Sequence, residues 1–287
     1  MASATTGETD VSYLNDASES SPSPPRPQPL MNPDVNTSLD ASTTSTETSA
    51  TELASPNILV KKLSYRQINI AVNTILEAFK FDAFTRYVTG QTGIDPPPPP
   101  STFAKLKYAF YFWYFLTRRI SLQIDDAHSL IIAFPPPSLV QNGSWKDKFI
   151  DIVFGGMAMI LAKFDGEVVN RRRRELEGQK AAIESWLDGR GKDMYCVHLL
   201  ATDPAYQGLG YASRLLDAIA RIADTEGRST WLLSTGRHNA PFYELHGYVT
   251  VGELRLGGED PDWMGEEVIC PVMVRDARCA SEIEKAE

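Results

Sequence analysis

Long apolar runs and cysteine are both scarce in this 287-residue chain. The most hydrophobic stretch, YAFYFWYFL from Tyr108 to Leu116, is far shorter than the roughly 20 residues that cross a bilayer, so no membrane partner is expected. Three cysteines, Cys196, Cys270 and Cys279, form no CxxC pair; this argues against a zinc site or a disulfide framework and for reduced thiols. There is no basic start followed by an apolar run, and no Arg-rich, acid-poor leader, so a cytoplasmic location is expected. Excess positive charge is missing as well. The net charge is −9, and most of it belongs to residues 1–57, where eight acids face Arg26 alone. The nearly neutral remainder argues against a nucleic-acid or anionic-lipid partner.

Residues 1–57 are rich in Ser, Thr, Pro and acids and poor in large apolar side chains. Such a segment buries too little surface to offset its chain entropy and is expected to be disordered. Residues 58–278 read as one domain with a substrate-side half (58–190) and a ligand-binding half (191–278), followed by a short tail (279–287). In the first half a strand is expected over Ile58–Leu63, a helix from Ser64 to Phe79, a break at Pro96–Pro100, and a helix over Ser101–Thr117. Strands Ile120–Ile124 and Ser129–Phe134 follow, then helices Trp145–Phe164 and Val168–Leu187. The RRRR of residues 171–174 reads as a solvated helix face. The second half alternates strand 195–201, helix 212–226, strand 229–234, helix 240–246 and strands near 247–256 and 266–275, which predicts an α/β layer with a mixed sheet.

Chemistry concentrates in ATDPAYQGLGYASRLLDAIARIA. An apolar strand runs into Gln207, Gly208, Leu209, Gly210, Tyr211 and Ala212 and directly into an amphipathic helix. Small residues let the backbone turn tightly, and the first helical turn offers unpaired amides and a partial positive charge, a setting suited to a pyrophosphate. A Walker loop would need Lys after these glycines. A dinucleotide fingerprint would need a third small residue where Ser213 stands and an acid about 20 positions on. Neither pattern is met.

With Gln207, Gly210 and Ala212 in the QxxGxA pattern, and with NAPFYELHGY following strand WLLST, the stretch from Tyr195 to about Glu253 resembles the GNAT N-acetyltransferases. Within them it is most similar to the puromycin N-acetyltransferase branch. The resemblance implies a central mixed, mostly antiparallel sheet flanked by helices, acetyl-CoA as co-substrate, and no metal. It further implies that the amides from Gln207 to Ala212 hold the pyrophosphate, that Leu200, Ala201 and Thr202 lie along pantetheine with a free amide for the thioester carbonyl, and that Asn239 and Phe242 belong to the same site.

By the same resemblance Tyr243 is the expected general acid, since a phenol of ordinary pKa near 10 is protonated at neutral pH. The base is more open. His198 stands two residues before Leu200, which by strand alternation puts both on one face, while Glu184 and Asp193 lie nearby in sequence. Asp82 is a candidate partner for a cationic amine, and Phe81, Phe84, Tyr87, Tyr111 and Trp113 are candidates for an apolar wall. The expected reaction is direct transfer of acetyl to the amine of a small molecule in a ternary complex. Acetylation of a protein lysine or amino terminus, or a non-catalytic binding protein of the same fold, stand as alternatives. The sequence is silent on oligomeric state.

Overall fold

The computed structural model describes residues 58–91, 97–140 and 145–278. The expectations for residues 1–57, 279–287 and the start of the proline run fall outside them. All of these residues belong to one compact unit, Ala54–Glu287.

In chain order the strands are β1 (Lys61–Lys62), β2 (Ile120–Ile124), β3 (Ser129–Phe134), β4 (Tyr195–Thr202), β5 (Thr230–Leu233), β6 (Val249–Leu256) and β7 (Val268–Arg275). The helices are α1 (Ile68–Ala78), α2 (Ala83–Val88), α3 (Thr102–Arg118), α4 (Pro137–Val140), α5 (Trp145–Ala162), α6 (Glu167–Gly178), α7 (Lys180–Trp186), α8 (Tyr211–Thr225) and α9 (Ala240–Leu245). The strands form one sheet in the order β1-β2-β3-β4-β5-β7-β6. Every neighbouring pair is antiparallel except β4 with β5, which is parallel. The mixed, mostly antiparallel sheet with flanking helices is the expected fold class.

Local chemistry sets several boundaries. Ser64 and Gln67 cap the first helical turn reciprocally, the Ser64 amide donating to Gln67 Oε1 at 3.0 Å. Ser101 accepts from the Ala104 amide at 3.1 Å and starts α3. The expected strand over Ile58–Leu63 shortens to two paired residues, and the helix expected over Val168–Leu187 is divided at Gln179 into α6 and α7.

The sheet carries helices on both faces. On one, α8 sends Leu215, Leu216 and Ile219 against Ile131, Ala133, Val197 and Leu232. On the other, α1 and α3 send Ala71, Val72, Ile75 and Phe112 against Leu130, Ile132 and Ala201. Fully burying each of the larger of these side chains contributes about 1.5–3 kcal/mol, so these two layers fix the position of β4 between them. The α5 helix, packed on α3, leaves Phe149, Ile152 and Met159 exposed on its outer surface. Among the described residues no helix is long and apolar enough to cross a membrane.

The expectation that 171–174 form a solvated face is overturned at Arg172, which is 0% exposed. Its guanidinium pairs with Asp260, donates to the Tyr87 carbonyl at 2.7 Å and lies over the rings of Tyr87 and Trp263. One acid, one carbonyl and two ring faces offset the cost of removing the charge from water.

Candidate active site

The site begins where two parallel strands part. Strand β4 pairs with β5 only through Tyr195, Cys196 and Val197, opposite Thr230, Trp231 and Leu232. Beyond Val197 the strand stays paired with β3 on one side, Leu199 through Thr202 lying opposite Ile132 through Ser129, and loses its partner on the other. Main-chain groups along that free edge are left to face a gap, and an unpaired backbone donor is costly to bury without an acceptor.

At the far end of the gap lies the glycine loop. Asp203 caps a single 3-10 turn, its carboxylate accepting from the Ala205 amide at 3.0 Å, and Gln207 Nε2 donates to the Thr202 carbonyl at 3.2 Å, tying the loop back to β4. Gly208 and Gly210 have φ of 79° and 75°, a conformation that side-chain-bearing residues adopt with strain. A Cβ at either position would meet nothing within 4 Å, so the glycines answer a backbone requirement and the space in front of them is open. Gly210 is also the N-cap of the 15-residue α8 and supplies no side chain to its first amides. This arrangement fits a diphosphate: free N–H groups, a helix N-terminus and room for the ligand. The β2–β3 turn abuts the loop, with the Tyr211 hydroxyl donating to Asp125 at 3.4 Å and His128 stacked on Tyr206 at 4.0 Å. Asp125, Asp126 and Ala127 in that turn all have positive φ, a feature that no sequence pattern announced.

A bulge re-aims β4. Ile132 pairs with Leu199 and Ala133 with Val197, so His198 has no partner across β3. Val197 and Leu200 consequently pack on the α8 face, and Leu199 and Ala201 on the α1/α3 face. The expectation that His198 and Leu200 share a face fails for this reason, because an extra residue resets strict alternation. His198 instead stacks on Phe134 at 4.5 Å and meets the edge of Phe115 at 5.5 Å, on the α1/α3 side. The residue as a whole is exposed, while desolvation of the ring by these walls and the nearby Arg119 charge push its pKa down to about 4.

Tyr243 sits on α9, across the sheet from His198, in edge contact with Phe242 at 5.2 Å and Tyr248 at 6.0 Å. Burial raises its pKa, with the neighbouring Tyr248 adding to the effect, so the hydroxyl keeps its proton at neutral pH. Asn239 precedes α9 and donates to Thr235 Oγ1 at 3.4 Å. At the end of α9, His246 bridges Asp217 (3.0 Å) and Ser213 (3.1 Å), both on α8.

The candidates from the N-terminal half are not gathered into one wall. The Asp82 carboxylate is the cap of α2, accepting from the Thr85 amide at 2.7 Å, and Phe84 packs with Tyr87 and Cys270 against β6 and β7. Tyr111 lies between Phe115 and Phe154, Trp113 is partly exposed beside Phe110, and Phe81 is exposed. Sequence reading missed Phe115, Arg119 and Phe134, which surround His198. The available signal was a pair of arginines closing an aromatic helix just ahead of a strand. Both described cysteines are shielded by burial, which pushes each thiol up to about 12, and no group of acids, histidines and cysteines among the described residues is arranged to hold a metal.

Residues 157–250 match the family model described as an acetyltransferase (GNAT) domain. An N-acetyltransferase of Schizosaccharomyces pombe, itself uncharacterized, is 24% identical over 233 residues, spanning 79% of this chain and 86% of its own. The crystal structure of arylalkylamine N-acetyltransferase 2 from Aedes aegypti shares the fold with a TM-score of 0.54 at 13% identity, covering 77% of this chain and 100% of that one. A putative arylalkylamine N-acetyltransferase 7 from the same mosquito gives 0.52 at 15% identity, covering 76% and 86%. Residues 157–250 thus carry a GNAT acetyltransferase domain, and the relative supports reading the chain as an acyltransferase.

Proposed function

We propose that this chain transfers the acetyl group of acetyl-CoA to the amine of a small-molecule acceptor by direct attack in a ternary complex. The observation that carries the reading is the parting of β4 from β5 directly ahead of a glycine loop that opens α8. Amides of residues 207–212 would hold the diphosphate, and the free edge of β4 near Leu200 would run along pantetheine, with an amide placed for the thioester carbonyl. The bound co-substrate supplies the acetyl thioester. Tyr243 donates its proton to the departing sulfur, releasing CoA as the thiol. His198, neutral above its depressed pKa, takes the acceptor's proton directly or through water as the carbon–nitrogen bond forms and the nitrogen grows more acidic. The nearly neutral composition outside residues 1–57 and the arylalkylamine acceptors named for the two mosquito structures support a small acceptor over a peptide tail. The block NAPFYELHGY supports a place near the puromycin N-acetyltransferase branch.

Thermal-shift measurements with acetyl-CoA, ATP and NAD, followed by thiol-release assays over a panel of amines and peptides, test the reading. Ligand that binds only the folded state raises its apparent stability, so acetyl-CoA alone is expected to shift the transition. Stabilisation by ATP or NAD instead, or thiol release with peptides and with no small amine, sinks it.

A further inference from the structure

A cavity of about 480 Å³ opens on the sheet face opposite α8, at the closed end of the β4/β5 pair. Cys196 and Trp231, a directly paired couple across β4 and β5, form part of its floor, Phe134 a wall, and Arg118, Arg119 and Asp151 its polar rim. Its contact with the proposed reaction centre is direct: Phe134 is the ring on which His198 stacks, and the Arg119 charge adds to the desolvation that lowers the His198 pKa.

The charged groups on the rim are unequally satisfied. Asp151 accepts from Arg118 Nε (3.2 Å) and Nη2 (3.1 Å) and from the Tyr114 hydroxyl (3.0 Å), so its oxygens are occupied. Arg119 donates to the Arg118 carbonyl at 3.1 Å and to the Tyr114 oxygen at 3.0 Å, and its guanidinium lies over the Tyr114 and Phe134 rings, 5.2 and 4.6 Å from their centres. No carboxylate among the described residues hydrogen-bonds to it, and its Nε, closed off from solvent, has no hydrogen-bond partner. Asp151 lies near enough to feel the Arg119 charge but accepts its hydrogen bonds from Arg118 and Tyr114, so the Arg119 guanidinium, held by neutral acceptors and ring faces in a largely apolar pocket, keeps capacity to pair with a further anion.

We infer that this cavity is the acceptor pocket and that Arg119 selects acceptors that carry an acidic group beside an apolar body, such as a carboxylated aromatic or aliphatic amine, over the matching amine without the acid. The inference rests on the proposed acetyl transfer and deepens it. The acid pairs with Arg119, the apolar part lies against Phe134 and Trp231, and the amine reaches the gap beside His198. The cationic acceptor that Asp82 was expected to recognise is disfavoured, because Asp82 caps α2 and the cation of this pocket would repel it.

Matched pairs provide the test: tyramine with tyrosine, and phenethylamine with phenylalanine, as acceptors for the full chain with acetyl-CoA, and as ligands in calorimetry with the chain saturated by CoA. The acid-bearing member of each pair is expected to have the higher kcat/KM. A charge-assisted hydrogen bond corresponds to roughly ten- to hundredfold in affinity, and Arg119→Met is expected to lower the ratio of kcat/KM for the acid-bearing member to that for its neutral counterpart by this factor, an effect through His198 falling on both members alike. Arg119→Lys, which keeps the charge and loses the fork, is expected to fall between. A wild-type preference for the amines without the acid, or an equal loss on both members in Arg119→Met, overturns the inference. Calorimetry separates the two readings: binding of the acid-bearing amine that is lost in Arg119→Met, with no turnover of any amine, keeps the pocket and removes the acetyl transfer, whereas turnover of amines without preference does the reverse.

Discussion

Arg172 on α6 holds Asp260, in the connection between β6 and β7, through a 2.5 Å bond from Nε to Oδ2, with both side chains withdrawn from solvent. This pair fastens the N-terminal half of the chain to the far edge of the sheet. Removing Arg172 strips Asp260 Oδ2 of this partner and leaves Oδ1 to Arg171 and the Asp262 amide, and breaking a buried pair typically costs about 3–5 kcal/mol. Arg172→Ala is therefore expected to lower the urea midpoint strongly, whereas Arg171→Ala, at a more exposed position, changes it little. Denaturation curves of the two variants check the contrast.

Gly210 has φ of 75° at the cap of α8. Gly210→Ala places a side chain in a left-handed conformation at a cost of about 1–2 kcal/mol, although no neighbour obstructs it. The loop is expected to relax by rotating its amides, and the acetyl-CoA dissociation constant to rise about tenfold or more by calorimetry, with a smaller loss of thermal stability. An unchanged dissociation constant would show that these amides do not grip the diphosphate.

Tyr243→Phe removes one hydroxyl to which no described residue hydrogen-bonds, so stability should barely change. If the hydroxyl protonates the leaving sulfur, kcat falls by about 10²-fold or more with acetyl-CoA affinity preserved. Pre-steady-state thiol release distinguishes this from slow product dissociation; equal rates for both proteins would assign Tyr243 to packing.

His198 carries a pKa near 4 in the folded chain, against an ordinary value of about 6.5 when unfolded. Between those values the unfolded chain binds more protons, so the contribution of this residue to stability is complete above about pH 6.5 and is lost as pH falls toward 4. The wild-type chain is expected to lose more stability over this window than His198→Gln. Proton NMR should show one imidazole with a midpoint near 4 that is missing from the variant, and a midpoint above 6 for that resonance would refute the assignment.

The second half of the chain was legible because its signals are local. The short apolar run WLL, the apolar stripe of α8 and two glycines before it each report a local requirement that nearby residues satisfy. Boundaries there moved by a few residues at most. The first half was less legible because its decisive contacts span long separations. A run of four arginines looks solvated until Asp260, Tyr87 and Trp263 arrive around one of them; the capping of α2 by Asp82, three residues before Thr85, is by contrast a local signal that the reading of Asp82 as an amine partner passed over. Residue type alone could not show the crowding at His198, since Phe115 and Phe134 come from separate elements.

The unpaired residue in β4 is a surplus that the buried layers do not need. Val197 and Leu199 already face opposite sides of the sheet and lie opposite the adjacent residues Ala133 and Ile132, so a deletion of His198 would restore strict two-residue alternation with Leu200 still toward α8 and Ala201 still toward α1. Such a shortened strand is expected to keep both packed layers and to lose only what the extra imidazole does.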